Sequence, residues 1–262
     1  MTTAQRNNYV VGKGKLYFDQ FADGTLKGNG ERYFGNVPSL ESGISKTTLD
    51  HFSSEGGVAV KDASVDIQFN HTGKFMTDNV SKENLALFFH GITESLTVTS
   101  QTGVIETIKI SPGLFFQLGR TADMPSGARN IANVVVKTTA TTPVTIAASG
   151  NYEVIADRGR IFIEPDSTAV TTEIEVTVTY DIAAGPRDIV ISKNQSIYGS
   201  LRYISDNPAG SDADYFYPYV KISADGTYSL IGDKWQEMSF SMDVLKLDDQ
   251  TEALYIDGVP AP

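Results

Sequence analysis

Apolar and polar residues alternate one for one along much of this chain. In "SVDIQFN" Val65, Ile67 and Phe69 alternate with Ser64, Asp66, Gln68 and Asn70. In "EMSFSMDV" Met238, Phe240, Met242 and Val244 alternate with Glu237, Ser239, Ser241 and Asp243. In "EIEVTVTY" Ile174, Val176, Val178 and Tyr180 alternate with Glu173, Glu175, Thr177 and Thr179. A period of two is that of a strand with one dry and one wet face. Similar runs predict strands near 9–19, 30–36, 58–70, 96–110, 134–138, 144–148, 152–156, 160–164, 198–205, 215–223 and 235–247. The fold class is therefore mainly β.

One segment departs from the period. "DNVSKENLALFFHG" places Leu85, Phe88 and Phe89 at helical spacing. Ser81 is placed to cap a helix over 82–90, and Gly91 to take the left-handed position after it. A helix this short depends on packing its apolar residues against a sheet. The string "ADGT" occurs at 22–25 and again at 224–227, and its Asp-Gly pair favours a tight turn. The second copy predicts a hairpin joining "YPYVKIS" to "TYSLI".

Three stretches read as irregular: a loop over 37–57, a linker over 119–130, and a tail over 248–262 with an apolar "ALYI" among acids. The Thr- and Val-rich region 120–193 reads as a small all-β unit inserted into a larger β domain of residues 1–119 and 194–262.

Charge and cysteine usage narrow the function. The 262 residues carry a formal net charge of −11 and no cysteine. Disulfides, thiolate metal sites and cysteine nucleophiles are excluded, and a chain folded in a reducing cytoplasm is expected. The acidic balance opposes tight general binding of nucleic acid, although a polyanion could pass such a surface without adhering. No apolar run reaches the length of a membrane span, and the first residues do not read as a secretory leader.

The chemical candidates are few. Asp50, His51 and Ser53 are the residue types of a hydrolase, but neighbours on an extended chain point apart and no G-x-S-x-G elbow presents a serine. The reading is a polar loop, Leu49–Glu55 (Leu49, Asp50, His51, Phe52, Ser53, Ser54 and Glu55), anchored by Leu49 and Phe52. His51, His71 and His90 lack metal-site spacing, and Asp212 and Asp214 do not continue into a calcium loop. No catalytic residue, metal or cofactor is expected. Tyr215, Tyr217 and Tyr219 alternate on one predicted strand face, so a monomeric β-sandwich carbohydrate-binding or adhesion module, with the tyrosines as a stacking platform, stands as the alternative function. Many two-faced strands leave sheet edges that need cover, and pairing them around a ring is one physical answer.

Several segments resemble a known family. "GKGKLYFD", "GERYFGN", "LDHFSSEGGVAVKDASVDI" and "TGKFMTDNVSKENLALFFHG" are similar to the N-terminal half of major tail tube proteins of long, non-contractile-tailed bacteriophages. "YGSLRYISDNPAGSDADYFYPYVKI" and "GDKWQEMSFSMDVLKLDD" are similar to the C-terminal half. The resemblance covers about 9–118 and 196–249. It implies a β-sandwich or half-barrel with one flanking helix, assembling into stacked hexameric rings around a lumen that conducts DNA. The implied partners are further copies of the chain, the tape measure, tail terminator and distal tail proteins, and DNA in transit, with no membrane. The implied location is the virion tail, made in the host bacterial cytoplasm. On this reading Asp66, Gln68, Asn70, Glu237, Ser239, Ser241 and Asp243 face the lumen. Leu49–Glu55 forms an inter-ring or inter-subunit loop, and Leu254, Tyr255 and Ile256 form a C-terminal contact. Residues 120–193 would decorate the tube exterior or strengthen contacts between rings.

Overall fold

The computed structural model describes residues 9–258. The strands in chain order are β1 (Gly14–Gln20), β2 (Arg32–Tyr33), β3 (Ser39–Ser53), β4 (Val60–Thr77), β5 (Gly91–Val98), β6 (Gln101–Ile110), β7 (Phe115–Gln117), β8 (Ile131–Thr138) and β9 (Thr145–Ile146). They continue as β10 (Tyr152–Ile155), β11 (Arg160–Ile163), β12 (Ile174–Ile182), β13 (Gly185–Ser192), β14 (Ile197–Ser205), β15 (Ala213–Ala224), β16 (Met238–Val244) and β17 (Tyr255–Gly258). One α-helix, α1 (Lys82–Phe88), interrupts them. The mainly-β class is as the alternation predicts, and among the described residues none of the sheets closes on itself.

The chain divides into two compact units. One comprises the residues up to Glu94 and from Ile189 onward, and the other is Ser95–Asp188. The second unit thus begins earlier than the 120 expected from sequence. The alternation over 96–110 is two strands rather than one: β5 pairs with β13, whereas β6 pairs with β12 along nearly its whole length. A period of two identifies a strand but not the sheet it joins. The 119–130 segment is likewise no linker. Its turns are closed by Gly127 N–H to Met124 O (2.9 Å) and Ala128 N–H to Leu118 O (2.8 Å).

The larger unit is built on an eight-stranded sheet ordered β2-β1-β14-β15-β16-β4-β3, with β17 added beside β15. Its dry face carries Leu16, Phe18, Phe75, Leu201, Val220, Ile222, Phe240 and Met242. Phe75 sits between Phe34, edge-on at 4.9 Å, and Phe240, stacked at 5.1 Å. The helix lies on this face and buries Leu87 and Phe88 there, whereas Phe89 stays partly exposed against Tyr228.

The Ser81 hydroxyl caps the helix as expected, accepting from Asn84 N–H at 3.1 Å. The left-handed residue after it is His90, with φ 49°, and not Gly91. Gly91 instead starts β5, where a side chain would meet the Ile191 carbonyl. His90 Nδ1 lies 3.1 Å from the Gln195 carbonyl.

The smaller unit packs the sheet β6-β12-β8-β9 with the sheet β10-β11-β7 around Ile110, Val136, Ile161, Val176 and Tyr180.

Two turn expectations are corrected. After "ADGT" at 224–227 the chain does not return at once. Residues 225–237 form a long connection before β16, and Leu230, Ile231 and Trp235 stand exposed along it. The stretch 37–57 is mostly strand β3, because its serines and threonines pair along β4. Polar β-branched residues on a solvated ribbon lack the apolar alternation that marks a strand in sequence.

Candidate assembly surface

β4 is eighteen residues long, and β16 pairs with only its last part, from His71 to Thr77. Over residues 60–70 it pairs with β3, beyond the reach of β16, so the two strands leave the sheet as a ribbon exposed on both faces. Ile44, Leu49, Phe52, Val60, Val65, Ile67 and Phe69 are each more than half exposed on it. Leu49 and Phe52 therefore anchor nothing within the described chain, contrary to expectation. The turn that joins the strands carries Ser54, Glu55, Gly56 and Gly57.

The hydrolase letters are spent on the ribbon's own charge pairs. Asp50 accepts from Lys61 Nζ and from Ser64 Oγ, each at 2.6 Å. The first of these bonds, then the second, lowers the Asp50 pKa below the ordinary carboxylate value. His51 Nδ1 lies 2.5 Å from Asp62 Oδ1 on the opposing strand. Ser53 Oγ accepts only a long 3.5 Å bond from Glu55 N–H. Asp50, His51 and Ser53 do not converge, and among the described residues no cluster of acids and histidines is gathered as metal ligands.

Two register shifts bend the ribbon. Thr47 pairs with Gln68 and Thr48 with Asp66, so Ile67 is an extra residue; a second shift lies between His51 and Phe52. Cross-strand partners share a face while successive residues alternate. Gln68 and Asn70 therefore lie on one side, joined by a 2.8 Å side-chain bond, and Asp66 lies on the other, bridged to Lys46 at 3.1 Å. A bulge of this kind cannot be seen in an unbroken alternation.

The Gln68 side continues into the wet face of the main sheet. Asp243 pairs with Thr72, Ser241 with Lys74 and Ser239 with Met76, while Met238, Phe240 and Met242 turn into the core. Gln68, Asn70, Ser239, Ser241 and Asp243 thus share one polar face. Asp66 does not belong to it, and Glu237 precedes β16 as an exposed residue. The face is less acidic than expected. Lys74 bridges Asp225 at 2.7 Å and pairs with Glu41, and Lys221 pairs with Asp243. Asp225 first, with Glu41 adding to it, raises the Lys74 pKa.

The tyrosine row also breaks at a bulge. Leu201 pairs with Tyr217 but Gly199 with Val220, so β15 carries an extra residue near Pro218. Tyr217 enters the core at 2% exposure with Val220 and Ile222, and Tyr219 turns to the opposite face beside Phe21 and Tyr198. Tyr215, Tyr217 and Tyr219 form no common platform.

The tail, expected to be irregular, adds β17 to its own sheet. Tyr255 pairs with Phe216 and Ile256 with Tyr215. Leu254 packs against the core, whereas Tyr255 and Ile256 keep exposed surface. The last part of the 248–262 tail, residues 259–262, lies outside the described residues. Sequence reasoning missed the apolar exposure at Ile44, Val58 and Val60 and along Leu230, Ile231 and Trp235. The available signal was the unbroken apolar alternation at Val65, Ile67 and Phe69, upstream of the part of β4 that pairs with β16.

No helix among the described residues is long and apolar enough to cross a membrane. An ice-binding protein from Nostoc sp. (strain HG1) is 31% identical over 112 residues, which are 39% of this chain and 41% of that protein. The chain thus spans about two fifths of the length of that relative. A family model described as "Protein of unknown function UCP028589" matches residues 9–254. The match runs across both units, and the chain belongs to that family.

Proposed function

We propose that the chain is a structural subunit that assembles with its own copies into stacked rings, as the tail tube of a long, non-contractile phage tail. The observation that carries this reading is the β3–β4 ribbon. It holds apolar side chains out on two strands with no cover from the described residues. Exposed apolar surface on an uncovered ribbon is a hazard in a lone subunit and a natural contact in an assembly. The open edge at β3 and the mixed-charge polar face on β4 and β16 support the same reading. In it, the shared face of Gln68, Asn70, Ser239, Ser241 and Asp243 lines the lumen, where lysines held by acids leave little net attraction for DNA. The ribbon, including Leu49–Glu55, reaches a neighbouring ring or subunit. Tape measure, tail terminator and distal tail proteins would meet the tube ends.

The competing reading, a monomeric carbohydrate-binding module on the tyrosines, loses its geometric basis with Tyr217 in the core. Ice binding, named for the Nostoc relative, finds little support. The outward Thr107 and Thr177 of β6 and β12 are flanked by Lys109, Glu175 and Lys137, which interrupt a regular hydroxyl surface. Negative-stain microscopy of the purified chain tests the assembly reading. Hollow rings or tubes are the expected result, and a monomer that persists at high concentration would overturn it.

A further inference from the structure

The Ser95–Asp188 unit contains a cleft of about 470 Å³ that the assembly reading does not use. Val98, Val104, Ile182 and Pro186 give it an apolar wall, and Arg129 and Arg187 stand at its lining. Both guanidiniums are held by neutral groups. Arg129 donates from one terminal nitrogen to the carbonyls of Ser126 (3.0 Å), Ala128 (2.9 Å) and Arg158 (2.9 Å). Arg187 donates to the Gly127 carbonyl at 2.8 Å and to Ser126 Oγ at 2.9 Å. Among the described residues, neither arginine has a carboxylate in an ion pair. Asp157, which also lines the cleft, is bridged to Arg158 at 3.3 Å.

The cationic cluster is only partly compensated, by Asp157. Desolvation first, then the neighbouring charges of Arg187, Arg158 and Arg160, lower the Arg129 pKa, and Asp157 opposes them only in part. In a chain of net charge −11, gathering four arginines around Asp157, which is itself bridged to Arg158, leaves like-charge repulsion that opposes folding locally. Backbone carbonyls fix both side chains, so little ordering remains when an anion arrives. Guanidinium forks suit planar carboxylate and phosphate oxygens. The cleft falls within the size of small-molecule sites, which span roughly 300–1,000 Å³, and it is too compact for an extended polymer.

We propose that this cleft binds a small ring-bearing organic anion, an acidic or phosphorylated sugar being the fitting class. The oxyanion sits at Arg129 and Arg187, and the ring rests on Val98, Val104 and Ile182. The site belongs wholly to the smaller unit and stands whether or not the chain forms a tube.

Isothermal titration of the full chain at low salt tests it, with glucuronate, glucose 6-phosphate, inorganic phosphate and neutral glucose as probes. A sugar anion is expected to bind with a Kd of about 1 mM or tighter, and glucose to give no heat. Comparison of glucuronate with glucose 6-phosphate identifies which oxyanion the site takes. Arg129→Gln with Arg187→Gln should weaken binding by about tenfold or more. Because those arginines also hold the 126–128 turn, Gln101→Glu is the second variant. It leaves every guanidinium bond intact and adds a carboxylate to the lining, and it should weaken binding by about tenfold. No heat from either sugar anion, unchanged binding in Gln101→Glu, or inorganic phosphate binding as tightly as glucose 6-phosphate would each overturn the proposal.

Discussion

Asp66 and Gln68 stand two residues apart on one strand yet face opposite sides of the ribbon, because Ile67 is an extra residue between their partners Thr48 and Thr47. Gln68 thereby stays with the polar face of the main sheet, and Asp66 turns away to bridge Lys46. The bulge lies where the ribbon parts from the sheet, a place where added twist re-aims a strand.

The ribbon's apolar residues are predicted to serve assembly and not the fold of the single chain. Val65→Thr together with Phe69→Ser removes exposed apolar surface without opening a cavity. Stability in urea should change by no more than about 0.5 kcal/mol, as for other surface sites. Sedimentation velocity should show self-association lost. A large drop in unfolding midpoint would mean that the ribbon packs within its own chain.

Phe75 marks the opposite case. It is fully buried between Phe34 and Phe240 at the centre of the larger unit. Phe75→Ala should destabilise that unit by about 3–5 kcal/mol, the cost of lost burial plus the cavity left behind. Chemical denaturation followed by aromatic circular dichroism reads this directly.

The sequence showed the core-facing alternation of β16 and β12, the single helix and its Ser81 cap, since each rests on a local pattern that packing only reinforces. It hid what depends on register. The bulges at Ile67 and Pro218 move Asp66 and Tyr217 to faces that simple alternation denies them. It also hid β3, whose Ser and Thr residues become a strand only through pairing with β4, and the membership of β6 in the smaller unit, which rests on its ladder with β12. The cleft arginines are hidden as well: 119–130 looks like a linker, and nothing local shows that Arg129 returns to the carbonyls of Ser126 and Arg158 or that Arg187 reaches Gly127 from sixty residues away.

Asn84 ties the helix start to the core edge. Its side chain, wholly buried, donates to the Phe34 and Asn79 carbonyls, each at 2.9 Å, and accepts from Arg32 at 2.9 Å. Arg32 is itself desolvated, which lowers its pKa, and it lies 5.0 Å over the Phe34 ring. Asn84→Leu keeps the volume but strands these partners. A loss of about 2–3 kcal/mol is expected, the scale of leaving buried polar groups unpaired. Asn84→Asp should also destabilise, because it keeps the acceptor for Arg32 but sets a carboxylate oxygen against the Phe34 and Asn79 carbonyls, and equilibrium unfolding of the two variants measures both losses.

Asp50 gives the ribbon a pH dependence of fixed sign. The Lys61 bond, then the Ser64 bond, hold its folded pKa below the unfolded value of about 3.9. A depressed carboxylate pKa contributes stability above the unfolded value, and that contribution fades as pH falls through the folded value. The ribbon should therefore keep its order through the neutral range and loosen only in acid below the usual carboxylate titration. The side-chain carboxyl carbon of Asp50, followed by NMR, should titrate below about 3.9 in the native chain and move up toward it in Lys61→Ala. A midpoint at or above the ordinary value in the native chain would show that the Lys61 contact does not hold in solution, and with it would go the charge pairing that keeps Asp50 from acting as a catalytic acid.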